Sequence, residues 1–248
     1  MGCDRITECK KGACPLKKVY VLIGNFGSGK TEIALNLALR AAQNGTTELI
    51  DLDMVNTYFR LSERKTLIEA SDIRLVSPNY AMKNVETLSL PAEVQSAFDL
   101  DWSTVVFDVG GDSAGATALG RYKADFDEVG AGLEVLNVIN VRRPMSETPD
   151  KIIALMAEIE QKSRLKITGL VNNSNLAQLT SREELRDGYE AIREVARRTG
   201  VPVRFTAGKR EALEEFLAEG FEEEFVGEPL FIKTYMHRDW DTYTKFGI

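Results

Sequence analysis

Residues Gly24-Asn25-Phe26-Gly27-Ser28-Gly29-Lys30-Thr31 follow the pattern G-x-x-x-x-G-K-[ST] of the phosphate-binding P-loop. The pattern constrains the fold because it needs a strand before it and a helix after it. Both flanks comply. Val19-Tyr20-Val21-Leu22-Ile23 is a short run of strand formers, and Glu32 to Ala42 carries Ile33, Leu37 and Ala41 at helical spacing. Glycines let backbone N–H groups turn inward around phosphates. The helix N-terminus adds a positive dipole end. Gly24, Asn25, Phe26, Gly27, Ser28, Gly29, Lys30, Thr31 and Glu32 are therefore candidate ligand-contacting residues. In such a loop Lys30 reaches the β- and γ-phosphates, and the Thr31 hydroxyl sits on Mg²⁺.

The rest of the chain repeats the alternation of strand and helix. Strands are expected at 48–53, 73–76, 104–109, 133–141, 167–171 and 201–205. Helices are expected at 58–70, 91–98, 148–161, 181–199 and 210–218. Asn44-Gly45 closes the first helix. Ser181 with Glu184 reads as a capping box. Most strands are continuous apolar runs, as when both faces of a parallel sheet are covered. The expected fold is α/β, three layers with a mostly parallel sheet between helices. Residues 1–17 form a Cys-containing extension and 18–248 a single domain, a division that suits 248 residues.

Ligands in such sheets bind at the carboxyl ends of the strands. Asp108 ends the apolar run Thr104-Val105-Val106-Phe107 and precedes Val109-Gly110-Gly111. That is the position of a Mg²⁺-holding Walker B carboxylate, with glycines that let the backbone approach a γ-phosphate. Asp51 and Asp53 end the second strand. With Leu52 in the core, both share the opposite face by the two-residue period. Asn172-Asn173 ends a later strand. Asn56 to Arg60 and Asp112 to Tyr122 follow acidic strand ends, where switch loops are expected; an ordinary loop with aromatic anchors is an equal reading of Asn56 to Arg60.

Net charge is -7 and the pI about 5.1. An acidic chain is poorly suited to general nucleic-acid binding, which runs on neutralising phosphates with Lys and Arg. No run of about 18 apolar residues offers a membrane span. The N-terminus lacks the apolar stretch of a signal peptide. A cytoplasmic location is expected.

The motif set resembles the MinD/ParA-type ATPases within the signal-recognition, MinD and BioD class of P-loop NTPases. It rests on Gly24 to Thr31, Leu49-Ile50-Asp51-Leu52-Asp53, Val105 to Gly111 and Gly169-Leu170-Val171-Asn172-Asn173. The resemblance implies a three-layer α/β/α P-loop NTPase fold, with ATP and Mg²⁺ as cofactors. It implies that Thr31, Asp51 and Asp108 surround Mg²⁺, that Asp53 orients the attacking water as a catalytic residue with Lys30, and that Asn173, with neighbouring Asn172, reads adenine. Thr206-Ala207-Gly208 would close over the base. Asn172-Asn173-Ser174-Asn175 stands where a guanine-reading Asn-Lys-x-Asp would be, which favours ATP. Many members carry a lysine at the position of Asn25 that acts across a homodimer. Here the charge falls to another cation, such as Arg60, Arg121 or Arg142, or hydrolysis is slow.

Cys3, Cys9 and Cys14 are the only cysteines, and their spacing matches no strong zinc or iron–sulfur pattern. A metal or Fe–S site on them is one expectation, a redox or transient metal-handling role a second, and a tail without chemistry the third. The leading expectation for function is a Mg²⁺-dependent ATPase that switches a protein partner, with metallocentre assembly as its role if the cysteines bind metal. A small-molecule kinase or ATP-dependent ligase, with Arg60, Tyr58 and Arg121 facing a substrate, is one alternative. A nucleotide-binding regulator that does not hydrolyse is another.

Overall fold

The computed structural model describes residues 17–53, 60–77, 92–111, 113–175 and 180–236 of the protein. The chain enters the sheet at β1 (Lys18–Ile23), passes through the glycine loop and continues into α1 (Lys30–Ala42). Then follow β2 (Thr47–Leu52), α2 (Lys65–Ala70), β3 (Ile73–Val76), α3 (Ser96–Asp99) and β4 (Thr104–Val109). The second half continues with α4 (Ser113–Leu119), α5 (Lys123–Val129), β5 (Leu133–Ile139), α6 (Pro149–Ser163) and β6 (Gly169–Asn172). It closes with α7 (Arg182–Thr199), β7 (Val203–Gly208), α8 (Arg210–Leu217), α9 (Glu223–Val226) and β8 (Glu228–Phe231). The strands form one sheet in the order β3-β2-β4-β1-β5-β6-β7-β8. Each pairing is parallel.

The apolar strands bury both faces, as their lack of polar alternation requires. Val19, Val21 and Ile23 of β1 join Val105, Phe107 and Val109 of β4 on the face packed by α6 and α7. Leu22, Val106 and Leu49 point the other way, towards Ile33, Leu35 and Leu37 of α1. An aromatic group fixes α3 and α5 to the first face. Phe107 stands 5.2 Å from Phe126, and Phe98 is 5.8 Å from Phe107.

Local signals account for the helix ends. Thr148 caps α6, with Pro149 in its first turn. Ser181 and Glu184 form the expected capping box on α7, and Gly200 closes it at φ 72°. The expected strand at 201–205 starts later, at Val203, because Pro202 has no N–H to give the ladder. Thr206, Ala207 and Gly208 therefore lie inside β7, and the Thr206 hydroxyl donates to the Val226 carbonyl at 2.6 Å. Residues 113–119 are helical, where a switch loop was expected. Strand β8 was not anticipated. Among the described residues it pairs only with β7, so Pro229 is tolerated in it.

A C-terminal segment crosses the α1 face of the sheet beyond β8. Ile232 donates its N–H to Gly208, and Asn36 of α1 clamps Lys233 from both sides of its peptide. The Asn36 Nδ2 donates to the Lys233 carbonyl at 2.9 Å, and the Lys233 N–H returns a bond to Oδ1 at 2.9 Å. Among the described residues no helix is long and apolar enough to cross a membrane. Asn36→Ala leaves both Lys233 groups unpaired, at a cost of about 1–3 kcal/mol. Urea unfolding should show that loss, with faster amide exchange confined to residues 232–236.

Candidate nucleotide-binding site

Gly29 stands directly before α1 with φ 91°, a left-handed conformation that a side chain resists. A Cβ there would also strike the Asn173 amide. This turn aims the first, uncapped N–H groups of α1 into the loop. Lys30 is 6% exposed, and its ammonium donates to the Asn25 carbonyl at 2.9 Å, spanning the loop. Gly111, after β4, lets the opposite wall come close. A Cβ on it would stand 2.7 Å from the Phe26 backbone and 2.9 Å from the Lys30 ammonium.

Asp51 and Asp108 meet because β2 and β4 are in register, with Asp51 opposite Asp108. Leu52 joins the core on the α6 and α7 face, so both carboxylates project to the α1 face. They are 4% and 1% exposed. Asp51 accepts N–H bonds from Asp53, at 3.0 Å, and from Leu61. The Thr31 side chain is a hydrogen-bond partner of Asp108, whose Oδ1 has no partner. Burial raises the Asp108 carboxyl from 3.8 to about 8, with the neighbouring Asp51 adding to the rise. Burial likewise lifts Asp51 to about 7. Two dry carboxylates side by side oppose each other's ionisation. A divalent cation would relieve that opposition.

Thr31, Asp108 and Asp51 fit Mg²⁺. One hydroxyl, one or two carboxylates and ligand phosphates are the donors this ion takes in nucleotide sites. Among the described residues no cluster of three or more His, Cys, Asp or Glu side chains could hold a metal by itself. Asp53 is half-buried just past β2, one residue beyond Leu52.

Unsatisfied polar atoms gather at this end of the sheet. Among the described residues six buried side-chain atoms lack a hydrogen-bond partner. Four of them belong to Ser28, Asp108, Asn137 and Asn173, all at the loop or the strand ends beside it. Such groups cost free energy unless something pairs them. Asn173 is 2% exposed and donates to the Ser28 carbonyl at 2.7 Å, leaving Oδ1 unpaired. Asn172 is held by Leu185 and the Ser174 N–H. Both amide donors thus support the loop and α7.

Some expected residues are placed elsewhere. Glu32 turns from the loop, and its carboxylate accepts the N–H groups of Tyr235 at 2.7 Å and Met236 at 3.0 Å. Arg142 pairs with Asp187 at 2.6 Å. Phe26 is 67% exposed at the loop tip. Cys3, Cys9, Cys14, Asn56, Thr57, Tyr58, Phe59 and Asp112 lie outside the described residues. A crevice opens behind Gly24 and Gly111 between α4 and α6, with Leu155 and Ile159 as apolar walls and the Glu158–Lys162 pair at its rim. Sequence reasoning missed Asn137 and Arg143. Asn137 was visible as a lone amide in the buried run Val135-Leu136-Asn137-Val138. Arg143 gave no periodic signal.

Scans against protein-family models and against curated protein sequences give no match. Among solved structures the chain is similar to cell division protein FtsY from Thermotoga maritima, at 17% identity and TM-score 0.50, over 79% of this chain and 63% of that one. It is similar to signal recognition particle receptor FtsY from Elizabethkingia anophelis at 20% identity and TM-score 0.50, over 79% and 59%. Chloroplast FtsY from Physcomitrella patens matches at 18% identity and TM-score 0.51, over 77% and 58%. The fold is that of the P-loop NTPases. The chain spans about three fifths of the length of these structures.

The raised carboxyls set the sign of a pH dependence. A carboxyl lifted on folding holds its proton more tightly in the folded chain, so stability is greatest at low pH and falls as pH rises from about 4 through about 8. Without metal, Asp108→Asn should therefore gain stability relative to the wild type between pH 5 and pH 9. Urea midpoints at both pH values check this, and a constant difference would contradict it.

Proposed function

We propose that the protein is a Mg²⁺-dependent ATPase of MinD/ParA-like type, working as a nucleotide switch for a protein partner. The unpaired buried atoms of Ser28, Asp108, Asn137 and Asn173 carry this reading, because a bound nucleotide with its metal would arrive where pairing is missing. The narrower MinD/ParA likeness rests on the sequence motifs.

In this reading the α1 N–H groups and Lys30 bind the phosphates. Lys30 exchanges the Asn25 carbonyl for phosphate oxygens. Thr31 and Asp108 hold Mg²⁺, with Asp51 beside it; the ion neutralises charge developing on the phosphates. Asp53, past the end of β2, orients water. Asn173 presents the unpaired Oδ1 as an acceptor for the adenine amino group, which guanine lacks at the matching position. The partner, a homodimer included, would read the segments after Asp53 and Asp108.

Phosphate release and equilibrium binding with Mg²⁺·ATP and Mg²⁺·GTP test the reading. The protein alone should bind ATP in preference to GTP and release phosphate. Lys30→Ala and Asp53→Ala should each lower hydrolysis by about 100-fold or more. Asp53→Ala should keep ATP binding, because it touches water and not the phosphates. Tight ATP binding with no phosphate release would favour a regulator that does not hydrolyse. Binding of neither nucleotide would sink the proposal.

A further inference from the structure

A cation stands at the tip of the glycine loop that no motif announces. Arg143 lies in the segment between β5 and α6, and its Nε donates to the Gly27 carbonyl at 3.0 Å. The guanidinium carbon is 3.7 Å from where a Gly27 Cβ would be, so the group lies against the loop. Its neighbour Arg142 is turned away to Asp187 and Glu184. Among the described residues Arg143 has no carboxylate partner, and its two terminal amines make no hydrogen bond.

The placement is built. Asn140 is 1% exposed and accepts the Arg142 N–H at 3.0 Å through Oδ1. Its Nδ2 donates to the Asn175 carbonyl at 3.2 Å, tying the segment to the end of β6. The Arg143 N–H donates to the Asn140 carbonyl and the Ser146 N–H to the Arg143 carbonyl, each at 3.1 Å. Ser146 is 3% exposed. Asn25 closes the link from the loop side. Its Nδ2 donates to the Ser146 Oγ at 3.2 Å and to the Pro144 carbonyl, while its Oδ1 accepts the Phe26 N–H at 2.8 Å. The loop and the segment that carries Arg143 are thus joined at Gly27 and Asn25.

We propose that Arg143 is a phosphate-contacting residue, a guanidinium supplied within the same chain to the terminal phosphate of a bound nucleoside triphosphate. This rests on the nucleotide-site reading above. The charge balance favours it. A triphosphate keeps net negative charge beside Mg²⁺, and Lys30 shares the site with Asp51, Asp53 and Asp108. The free amines of an anchored arginine match phosphate oxygens in pairs. The contact lies on the phosphate loop itself, at Gly27, so Arg143 distinguishes ligands by phosphate number.

Calorimetric titration with Mg²⁺·ADP and a slowly hydrolysed Mg²⁺·ATP analogue tests this in the wild type, Arg143→Ala, Arg143→Lys and Arg142→Ala. Arg143→Ala should weaken the triphosphate about tenfold or more while changing ADP affinity by less than about threefold. Arg143→Lys should recover part of the loss, and Arg142→Ala should match the wild type. Equal weakening of both ligands would reduce Arg143 to a support of the loop and overturn the proposal. So would wild-type affinities in Arg143→Ala, although the nucleotide-site reading would then stand. Binding of neither ligand by the wild type would overturn both.

Discussion

Asp51 and Asp108 face each other in a dry part of the molecule because two parallel strands pair without a shift. That pairing places two carboxylates where each opposes the other's charge, and both are buried. The surrounding structure is arranged about this tension. The Asp53 and Leu61 N–H groups hold Asp51, and Thr31 holds one side of Asp108. Lys30 is kept nearby but bonded to the loop. A cation and phosphates are the simplest chemistry that satisfies all of these groups together, since Mg²⁺ answers the carboxylates and phosphate answers Lys30.

Helix α1 connects this site to remote parts of the chain. Thr31 touches Asp108, and the next residue, Glu32, holds the backbone of Tyr235 and Met236. One turn on, Asn36 grips Lys233. Burial raises the Glu32 carboxyl, while the two backbone N–H bonds oppose that rise. The C-terminal segment is therefore fastened to the helix that begins in the phosphate loop. On the other side, Asn25 and Gly27 fasten the loop to the segment after β5. The loop is braced by residues more than a hundred positions away in the chain.

Much of this was legible in the sequence because it rests on local rules. The loop declares itself by glycine and lysine spacing, and Asp108 by its place after an apolar run. The shared face of Asp51 and Asp53 follows from strand period once Leu52 is assigned to the core, whereas the meeting of Asp51 with Asp108 depends on the register of β2 and β4. The remainder depends on contacts that no local pattern encodes. Glu32 belongs to the loop motif by position, yet its partners arrive from a tail with no clear periodicity. Strand β8 has four residues and contains a proline, so it falls below any strand signal. Arg142 and Arg143 are indistinguishable as letters; only the fold turns one to Asp187 and the other to Gly27. The amide of Asn173 supports Ser28, a link set by packing between β6 and the loop.

The central claim is that Thr31 and the buried aspartate pair form a metal site completed by a nucleotide. Mn²⁺ in place of Mg²⁺ makes that site visible by electron paramagnetic resonance. With a slowly hydrolysed ATP analogue, the wild type should immobilise the ion and show phosphorus coupling. Thr31→Ala and Asp108→Asn should lose that signal under the same conditions. An ion that stays free in the wild type, or that binds equally well to Asp108→Asn, would contradict the account.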